Sequence, residues 1–293
     1  MRILLNTLRP GEIGAYRPDT RPGADLALWR LRPGALWQAA AGEPVWCFAL
    51  DGCAEVRGGD GRWTLAPRDW LLLGPEQSPS VRAGTSGSVL IAPVSATASF
   101  PLEATRLLLT PQRGRIGLSA WRSLHNLAGE MAGSSELVLS EAAIEQLITQ
   151  LLCGSDLERM LHGRPPGRTE ARRRQLLSRM LRARLYIEGN ADRVVRITEL
   201  ARLCNFSPWH FTKTFHQIFG ETPQGCGVRV RLERARKLVV QSRLAISEIA
   251  AVCGFENASS FARAFHERFG ECASQMRARH APPPAPLRRL ERR

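Results

Sequence analysis

Eight side chains at helical spacing carry the chemistry this sequence offers most plainly. Trp209, Thr212, Lys213 and His216 fall at i, i+3, i+4 and i+7, and Ser259, Ala262, Arg263 and His266 repeat that spacing fifty residues later. Positions so spaced share one face of a helix. The first set offers an aromatic surface, a hydroxyl, an ammonium and an imidazole. The second offers a hydroxyl, a methyl group, a guanidinium and an imidazole. Such groups suit the edges of nucleic-acid bases: Lys213 can donate to guanine O6 or N7, and Arg263 can read a base or bind phosphate.

The elements that must position these faces are written twice. Glu199, Ala201, Cys204 and Phe206 recur 49 residues later as Glu248, Ala250, Cys253 and Phe255. Phe211, Phe215, His216, Phe219, Gly220 and Glu221 recur 50 residues later as Phe261, Phe265, His266, Phe269, Gly270 and Glu271. So many paired positions indicate a duplicated unit. Each copy predicts a helix, a tight turn and a second helix. Thr198 and Ser247 are expected to cap the first helices. Asn205 and Gly254 tolerate the positive φ of a sharp helix exit. Ser207 caps the second helix of copy one, with Pro208 at its first position. Phe211, Phe215, Ile218 and Phe219 form its core face, and Phe261, Phe265 and Phe269 that of copy two. An aromatic core face beneath a polar, basic outer face, after a short helix and a turn, is the helix-turn-helix plan for reading DNA.

The segment from about Gln175 to Arg277 resembles the DNA-binding domain of the AraC/XylS family of bacterial transcription regulators. The resemblance is carried by Tyr186-Ile187-Glu188, Leu200-Ala201, Ser207-Pro208-Trp209-His210-Phe211, Arg231-Leu232, Ala235 and Leu238. Ile246-Ser247-Glu248-Ile249-Ala250, Cys253-Gly254-Phe255 and Phe261-Ala262-Arg263-Ala264-Phe265 complete it. The sequence departs from the family at Gly225-Cys226-Gly227, Ala273 and Met276, and the glycines place the start of the connecting helix nearer Val228. The resemblance implies two second helices held about one DNA turn apart by a connecting helix over 228–240. It also implies promoter DNA and RNA polymerase as partners and an activating role.

Charge follows the same division. Residues 164–293 hold 26 Lys+Arg and 11 Asp+Glu, a net of +15; residues 1–163 hold 15 and 16, a net of −1. A neutral half joined to a basic half points the C-terminal half at a polyanion. The Ile3-Leu4-Leu5 run ends at Asn6 and Arg9-Pro10, so no leader peptide is expected. No apolar run approaches a membrane span. Seven scattered cysteines without a CxxC pair fit thiols in a reducing cytoplasm.

The fold class expected is α+β in two domains: 1–153 a cupin-like sensor and dimerisation domain, 154–174 a linker, 175–280 the DNA-binding domain, 281–293 a basic disordered tail. Residues 1–24, rich in Pro, Gly and Arg, read as an irregular arm. Strands are expected over 27–31, 45–50, 53–57, 62–65, 70–73, 81–83 and 88–93, with a hairpin at Asp51-Gly52 and a second turn at Gly58-Gly59-Asp60-Gly61. Many short strands with Gly/Pro turns suggest a small barrel or a double-sheet sandwich. Gly52, Leu65-Ala66-Pro67-Arg68-Asp69 and Leu71-Leu72-Leu73-Gly74-Pro75 resemble the cupin-like front domain of AraC-type regulators. Residues 1–120 contain no histidine, and metal-dependent cupins need clustered imidazoles and carboxylates. No catalytic residue, metal or cofactor is therefore assigned, and the protein is not expected to be an enzyme.

Trp29, Trp37, Trp46, Trp63 and Trp70 fill a core or line an effector pocket, the core being favoured. Cys47 and Cys53 flank the expected hairpin and could oppose each other as a redox pair, though ordinary core thiols are the simpler reading. A helix over 118–131 carries Leu118, Trp121, Leu124, Leu127 and Ala128. A second, capped by Ser140, carries Ala143, Ile144, Leu147, Ile148, Leu151 and Leu152. The pair resembles the helical hairpin through which the family dimerises, which makes Ile144, Leu147, Ile148 and Leu151 the dimerisation stripe. The rival reading from another class is an alkyl-acceptor DNA-repair protein with the same DNA-binding domain. It requires a four-cysteine zinc site near the N-terminus and a Cys–His nucleophile, a pattern this sequence lacks.

Overall fold

The computed structural model describes residues 2–17, 26–94, 110–131, 136–138, 142, 146, 150 and 169–280. The chain divides into two compact units. The first comprises Met1–Asn190 and Arg196–Pro223, the second Ala191–Val195 and Gln224–Arg293.

The first unit opens with β1 (Arg2–Leu8), β2 (Ile13–Tyr16), β3 (Leu26–Leu31), β4 (Leu36–Ala39), β5 (Val45–Asp51) and β6 (Ala54–Gly58). It continues with β7 (Gly61–Leu65), β8 (Asp69–Leu73), β9 (Ser80–Ala83), β10 (Ser88–Pro93), β11 (Gln112–Arg115), α1 (Leu118–Glu130) and β12 (Glu136–Val138). Among the described residues the strands form two sheets, in the orders β11-β8-β5-β10-β3-β1-β12 and β2-β4-β9-β6-β7. These are two open ladders that do not close into one barrel, which selects the double-sheet alternative.

Period-two alternation explains how the larger sheet is buried on both faces. On β5, Val45, Cys47 and Ala49 join Trp37, Val56, Trp63, Leu65 and Val81 in the core between the sheets. Trp46, Phe48 and Leu50 point the other way, into a second core with Trp70, Leu72 and α1. Trp37, Trp46, Trp63 and Trp70 are thus core residues. The helix α1 buries Ala120, Leu124 and Ala128. Of the expected stripe, Trp121 and Leu127 also pack on this core, the Trp121 indole donating to the Leu50 carbonyl at 3.0 Å, and Leu118 departs from it at 57% exposed.

Three expectations are corrected here. The N-terminal segment is not an irregular arm: β1 pairs in parallel with β3, from Ile3↔Leu26 to Leu8↔Leu31, and β2 pairs in parallel with β4. Pro10 and Gly11 serve the turn between β1 and β2, where Gly11 has φ 80°. Second, Asp51-Gly52 is not a hairpin. The strands β5 and β6 belong to different sheets, so the chain turns a corner there. A Cβ on Gly52 would lie 2.7 Å from Gly87 Cα, which is why the corner takes glycine. Third, Cys47 and Cys53 do not oppose each other. Cys47 faces Ile91 and Leu71 across the ladder and is buried, whereas Cys53 is exposed in the corner. Burial pushes the Cys47 thiol up to about 12. The Gly58–Gly61 turn, by contrast, closes a true β6–β7 hairpin.

The helix expected over 175–188 is longer: α2 runs Glu170–Gly189, because the Thr169 hydroxyl accepts from the Arg172 N–H at 3.3 Å and caps it earlier. The second helix of the hairpin, with Ile144, Leu147, Ile148 and Leu151, lies outside the described residues, as do the linker up to residue 168 and the tail from residue 281. Among the described residues no helix is long and apolar enough to cross a membrane.

Candidate nucleic-acid interface

Copy one is α3 (Ile197–Cys204) and α4 (Pro208–Phe219), in the first unit. Leu200, Ala201 and Cys204 are the buried side of α3. Asn205 ends the helix at φ 57°. The Phe206 N–H then returns to the Ala201 carbonyl at 2.8 Å, satisfying an end that would otherwise be orphaned. The Ser207 hydroxyl accepts from the His210 N–H at 3.3 Å, with Pro208 opening α4 as expected. Phe211 and Phe215 are buried with ring centroids 5.6 Å apart, and Phe219 follows at 4.5 Å. On the other side of this core stand Leu177 and Leu181 of α2, against Ile218 and Phe219. The Cys204 thiol donates to the Arg179 carbonyl at 3.2 Å, and burial pushes it up to about 12.

Copy two is α6 (Ile246–Val252) and α7 (Ala258–Phe269), in the second unit with α5 (Pro223–Gln241) and α8 (Ala273–His280). Gly254 turns at φ 70°, and the Phe255 N–H reaches the Ala250 carbonyl at 3.0 Å. The Asn257 carboxamide oxygen caps α7 on the Ser260 N–H at 2.8 Å. Phe255, Phe261, Phe265 and Phe269 form a continuous ladder of ring contacts at 5.2, 5.3 and 4.7 Å. Behind it lie Leu232, Ala235 and Val239 of α5 and Met276 of α8.

Two local expectations change. Thr198 and Ser247 are not N-caps, since Arg196 and Ala245 hold those places. Glu248 does the capping instead, its carboxylate accepting from the Ala245 N–H at 2.7 Å, which is the acidic half of a capping box. Its counterpart Glu199 accepts from the Tyr186 hydroxyl. The connecting helix starts at Pro223, not near Val228. Gly225 and Gly227 cost roughly 1 kcal/mol each inside a helix, but Cys226 between them is fully buried, and proline suits a first turn.

The outer faces stand as their spacing implied. On α4, Trp209 is 71% exposed, Lys213 and His216 are exposed and Thr212 is partly so. The Lys213 ammonium lies 5.1 Å from the centre of the Trp209 ring, a cation–π pairing that narrows where a flexible chain can point. The Thr212 hydroxyl donates to the Pro208 carbonyl at 2.9 Å. Its proton is committed to the helix, so toward a ligand it offers lone pairs. On α7, Ser259, Ala262, Arg263 and His266 are all exposed. Each set is brought together on one helix of its own unit. Two further exposed side chains extend the faces, Gln217 one turn beyond Lys213 and Glu267 one turn beyond Arg263. The i+4 step from each cation was the signal for them.

The faces are chemically different. Copy one offers a stacked ammonium, an acceptor hydroxyl, an imidazole and a carboxamide. Copy two offers a guanidinium, an imidazole, a hydroxyl and a methyl group beside a carboxylate. Groups of this kind, on a helix that projects them away from an aromatic core, can make base-edge and phosphate contacts.

A family profile described as "Helix-turn-helix domain" matches residues 200–279. An HTH-type transcriptional regulator from Mycobacterium tuberculosis is 38% identical over 89 residues, 30% of this chain and 34% of that protein. The bifunctional transcriptional activator/DNA repair enzyme AdaA of Bacillus subtilis is 33% identical over 92 residues, 31% of this chain and 44% of that protein. The chain thus spans a third to less than half of the length of these relatives. A crystal structure of a probable AraC family transcriptional regulator from Rhodopseudomonas palustris is 32% identical, with 34% of this chain and 94% of that chain covered and a TM-score of 0.33. Over this segment the chain carries a helix-turn-helix domain, similar to those of these transcription regulators.

Proposed function

We propose that this chain is a sequence-specific DNA-binding transcription regulator of the AraC/XylS type, in which α4 and α7 read base edges. The observation that carries the reading is the pair of exposed polar faces, each standing on its own phenylalanine ladder behind a tight turn. The net charge of +15 over residues 164–293 supplies sequence-independent attraction to phosphate, and that part of the affinity falls steeply with salt. Copy one sets most of the sequence preference through Lys213, Thr212, Trp209 and His216. Copy two adds affinity and one specific contact through Arg263, since Ala262 presents only a methyl group. The sheet domain at residues 1–153 controls the output, through a small-molecule effector or a partner protein. The regulator acts as a cytoplasmic homodimer, paired through Ile144, Leu147, Ile148 and Leu151, and activates transcription with RNA polymerase.

The DNA-repair half of AdaA's name does not extend to this chain by the same likeness, which is confined to 92 residues at the DNA-binding end. Cys47 is buried with a thiol pushed up to about 12, so it is protonated near neutrality and unsuited to act as a nucleophile. Selection of bound duplexes from a randomised DNA library, using the full chain at two salt concentrations, tests the proposal. Recovery of a defined motif, with affinity falling as salt rises, is the expected result. Enrichment of no motif would overturn it. For the dimer, sedimentation of Leu151→Glu is expected to give a folded monomer, because an unpaired charge is costly to bury; an unchanged dimer would remove that stripe from the proposal.

A further inference from the structure

The first unit holds more than a sensor beside a DNA reader, because α2 is shared between the sheets and copy one. One side of α2 is sealed into the β6–β7 hairpin. The Trp63 indole, 1% exposed, donates to the Leu185 carbonyl at 3.1 Å, and Leu185 is itself a member of the core between the sheets. At the tip of the hairpin the Asp60 carboxylate accepts from Arg182 Nε and Nη2 at 3.3 and 3.2 Å. Arg182 also reaches Glu76 at 3.2 Å. The Asp60 main chain is held as well: its N–H donates to buried Gln77 at 3.0 Å, and its carbonyl accepts from the Asn190 carboxamide at 2.8 Å. Backbone meets backbone at the end of the helix. A Cβ on Gly61 would stand 2.7 Å from the Gly189 backbone, and one on Gly189 would stand 2.6 Å from the Trp63 ring.

The remaining contacts of α2 belong to copy one. Leu177 and Leu181 pack on Ile218 and Phe219 of α4. The Arg179 carbonyl accepts the Cys204 thiol, and its guanidinium lies 5.7 Å from the Phe206 ring at the turn. The Tyr186 hydroxyl donates to Glu199 at the start of α3. The contacts from Asp60 to α4 are therefore continuous: hairpin tip, Arg182, one helix, then the helix that carries Trp209 and Lys213.

We infer that the β6–β7 hairpin is a positioning element for DNA reading by copy one, with Asp60 and Trp63 acting through Arg182 and Leu185 of α2. The inference rests on the DNA-binding reading above. It makes the sheet domain a working part of one reading helix. Copy two lies in the other compact unit and has its own core. A change at the hairpin reaches the DNA as an altered preference in one half-site. The path is contiguous packing and hydrogen bonding through one helix, a kind of network that can carry coupling between distant sites.

The test uses the full chain. Asp60→Arg, Arg182→Asp, the double exchange and Trp63→Phe are each compared with wild type on a randomised duplex library and on the two half-sites scored separately. Trp63→Phe removes the indole N–H while keeping an aromatic ring in the core. The two single charge variants and Trp63→Phe are expected to relax preference in the half-site read by α4 by about five-fold or more, with the α7 half-site unchanged. The double exchange is expected to restore it in part, since it rebuilds the Asp60–Arg182 pair in reverse but sets the new carboxylate beside Glu76. Folded variants with both half-sites unchanged, or with both weakened equally, overturn the inference. Should a single charge variant fail to fold, Trp63→Phe and the double exchange decide the matter by the same readout. A wild-type chain that enriches no motif removes the DNA-binding reading itself, which separates that failure from this one.

Discussion

The Arg231 guanidinium donates to the Gly254 carbonyl at 2.6 Å and lies 4.7 Å from the centre of the Phe255 ring. It thereby ties α5 to the turn of copy two, and it also donates to the Gly227 carbonyl at 3.3 Å. Copy one repeats the ring contact from a different helix, for Arg179 of α2 stands over Phe206. Each turn phenylalanine thus carries a guanidinium on its face. Burial holds Arg231 below the usual arginine range, partly offset by the neighbouring Cys253, which is the cost of placing a cation 9% exposed at a helix end.

Arg231→Met is expected to destabilise the second unit by about 1.5–3 kcal/mol, the usual worth of hydrogen bonds from a charged group plus the carbonyl left behind. Arg231→Lys keeps the charge but not the fork, and an intermediate loss is expected. Amide hydrogen exchange over residues 224–280 measures this, since all seven tryptophans lie outside that segment. Unchanged protection in Arg231→Met would show the contact to be idle.

Asn205 sits at φ 57°, where a β-branched residue is strained. Asn205→Val is expected to lower stability by about 1–2 kcal/mol, and Asn205→Gly to change it little. Urea midpoints of the three chains settle the comparison. Equal midpoints for Val and Asn would mean that the turn relaxes to another conformation.

Lys213→Ala separates base reading from phosphate binding. Loss of a base contact relaxes preference at one position by about 1–3 kcal/mol. Loss of a phosphate contact weakens all sequences alike and reduces the salt slope by about one unit. The first outcome is expected, because the stacked position over Trp209 directs the ammonium along the exposed face. Trp209→Ala should then produce a weaker version of the same loss.

Thiol chemistry follows burial. In the native chain Cys53 and Cys272 are expected to react promptly with a thiol reagent at pH 8, and Cys47, Cys204, Cys226 and Cys253 only on unfolding. Cys47 and Cys204 are pushed up to about 12 from an ordinary value of 9.0. The unfolded chain therefore releases these protons first. Their contribution to stability is intact below pH 9 and is lost as pH rises toward 12. Denaturant midpoints taken from pH 8 to 11 should fall, and a flat profile would contradict the assignment.

A polypeptide of residues 191–280 should fold by itself. Every member of its core, from Val228 to Met276, lies within it, and Gly254 packs on the Arg193 backbone. A cooperative melt followed by circular dichroism is expected; a broad, non-cooperative one would show that the second unit needs the first.

What the sequence made legible was local. Asn205, Ser207-Pro208 and the phenylalanine spacing state the turns and core faces of both copies within a dozen residues, and these features stand where they were placed. The parallel pairing of β1 with β3 and the change of sheet at Gly52 depend on partners distant in sequence, which no periodicity displays. The capping role of Glu248 was hidden by the Ser247 beside it, whose type suits an N-cap but whose position is one residue inside the helix. The double allegiance of α2 left no signal either. Arg182, Leu185 and Gly189 face the hairpin as a cation, an apolar group and a bare backbone, and a hydrophobic pattern registers only the second.

The bond from Trp63 to Leu185 spans 122 residues, and that interval is also a time. At the 5–20 residues per second of protein synthesis, β7 emerges roughly 6–24 s before the helix that covers it. Through that interval the inner surface around Trp63 stands open on a newly made edge strand, a surface that chaperones bind and that neighbouring nascent chains can pair with. The core of the second unit lies within residues 228–276, so its wait is shorter. Crowded or rapid expression should therefore lose the front of this protein to aggregation before it loses the back.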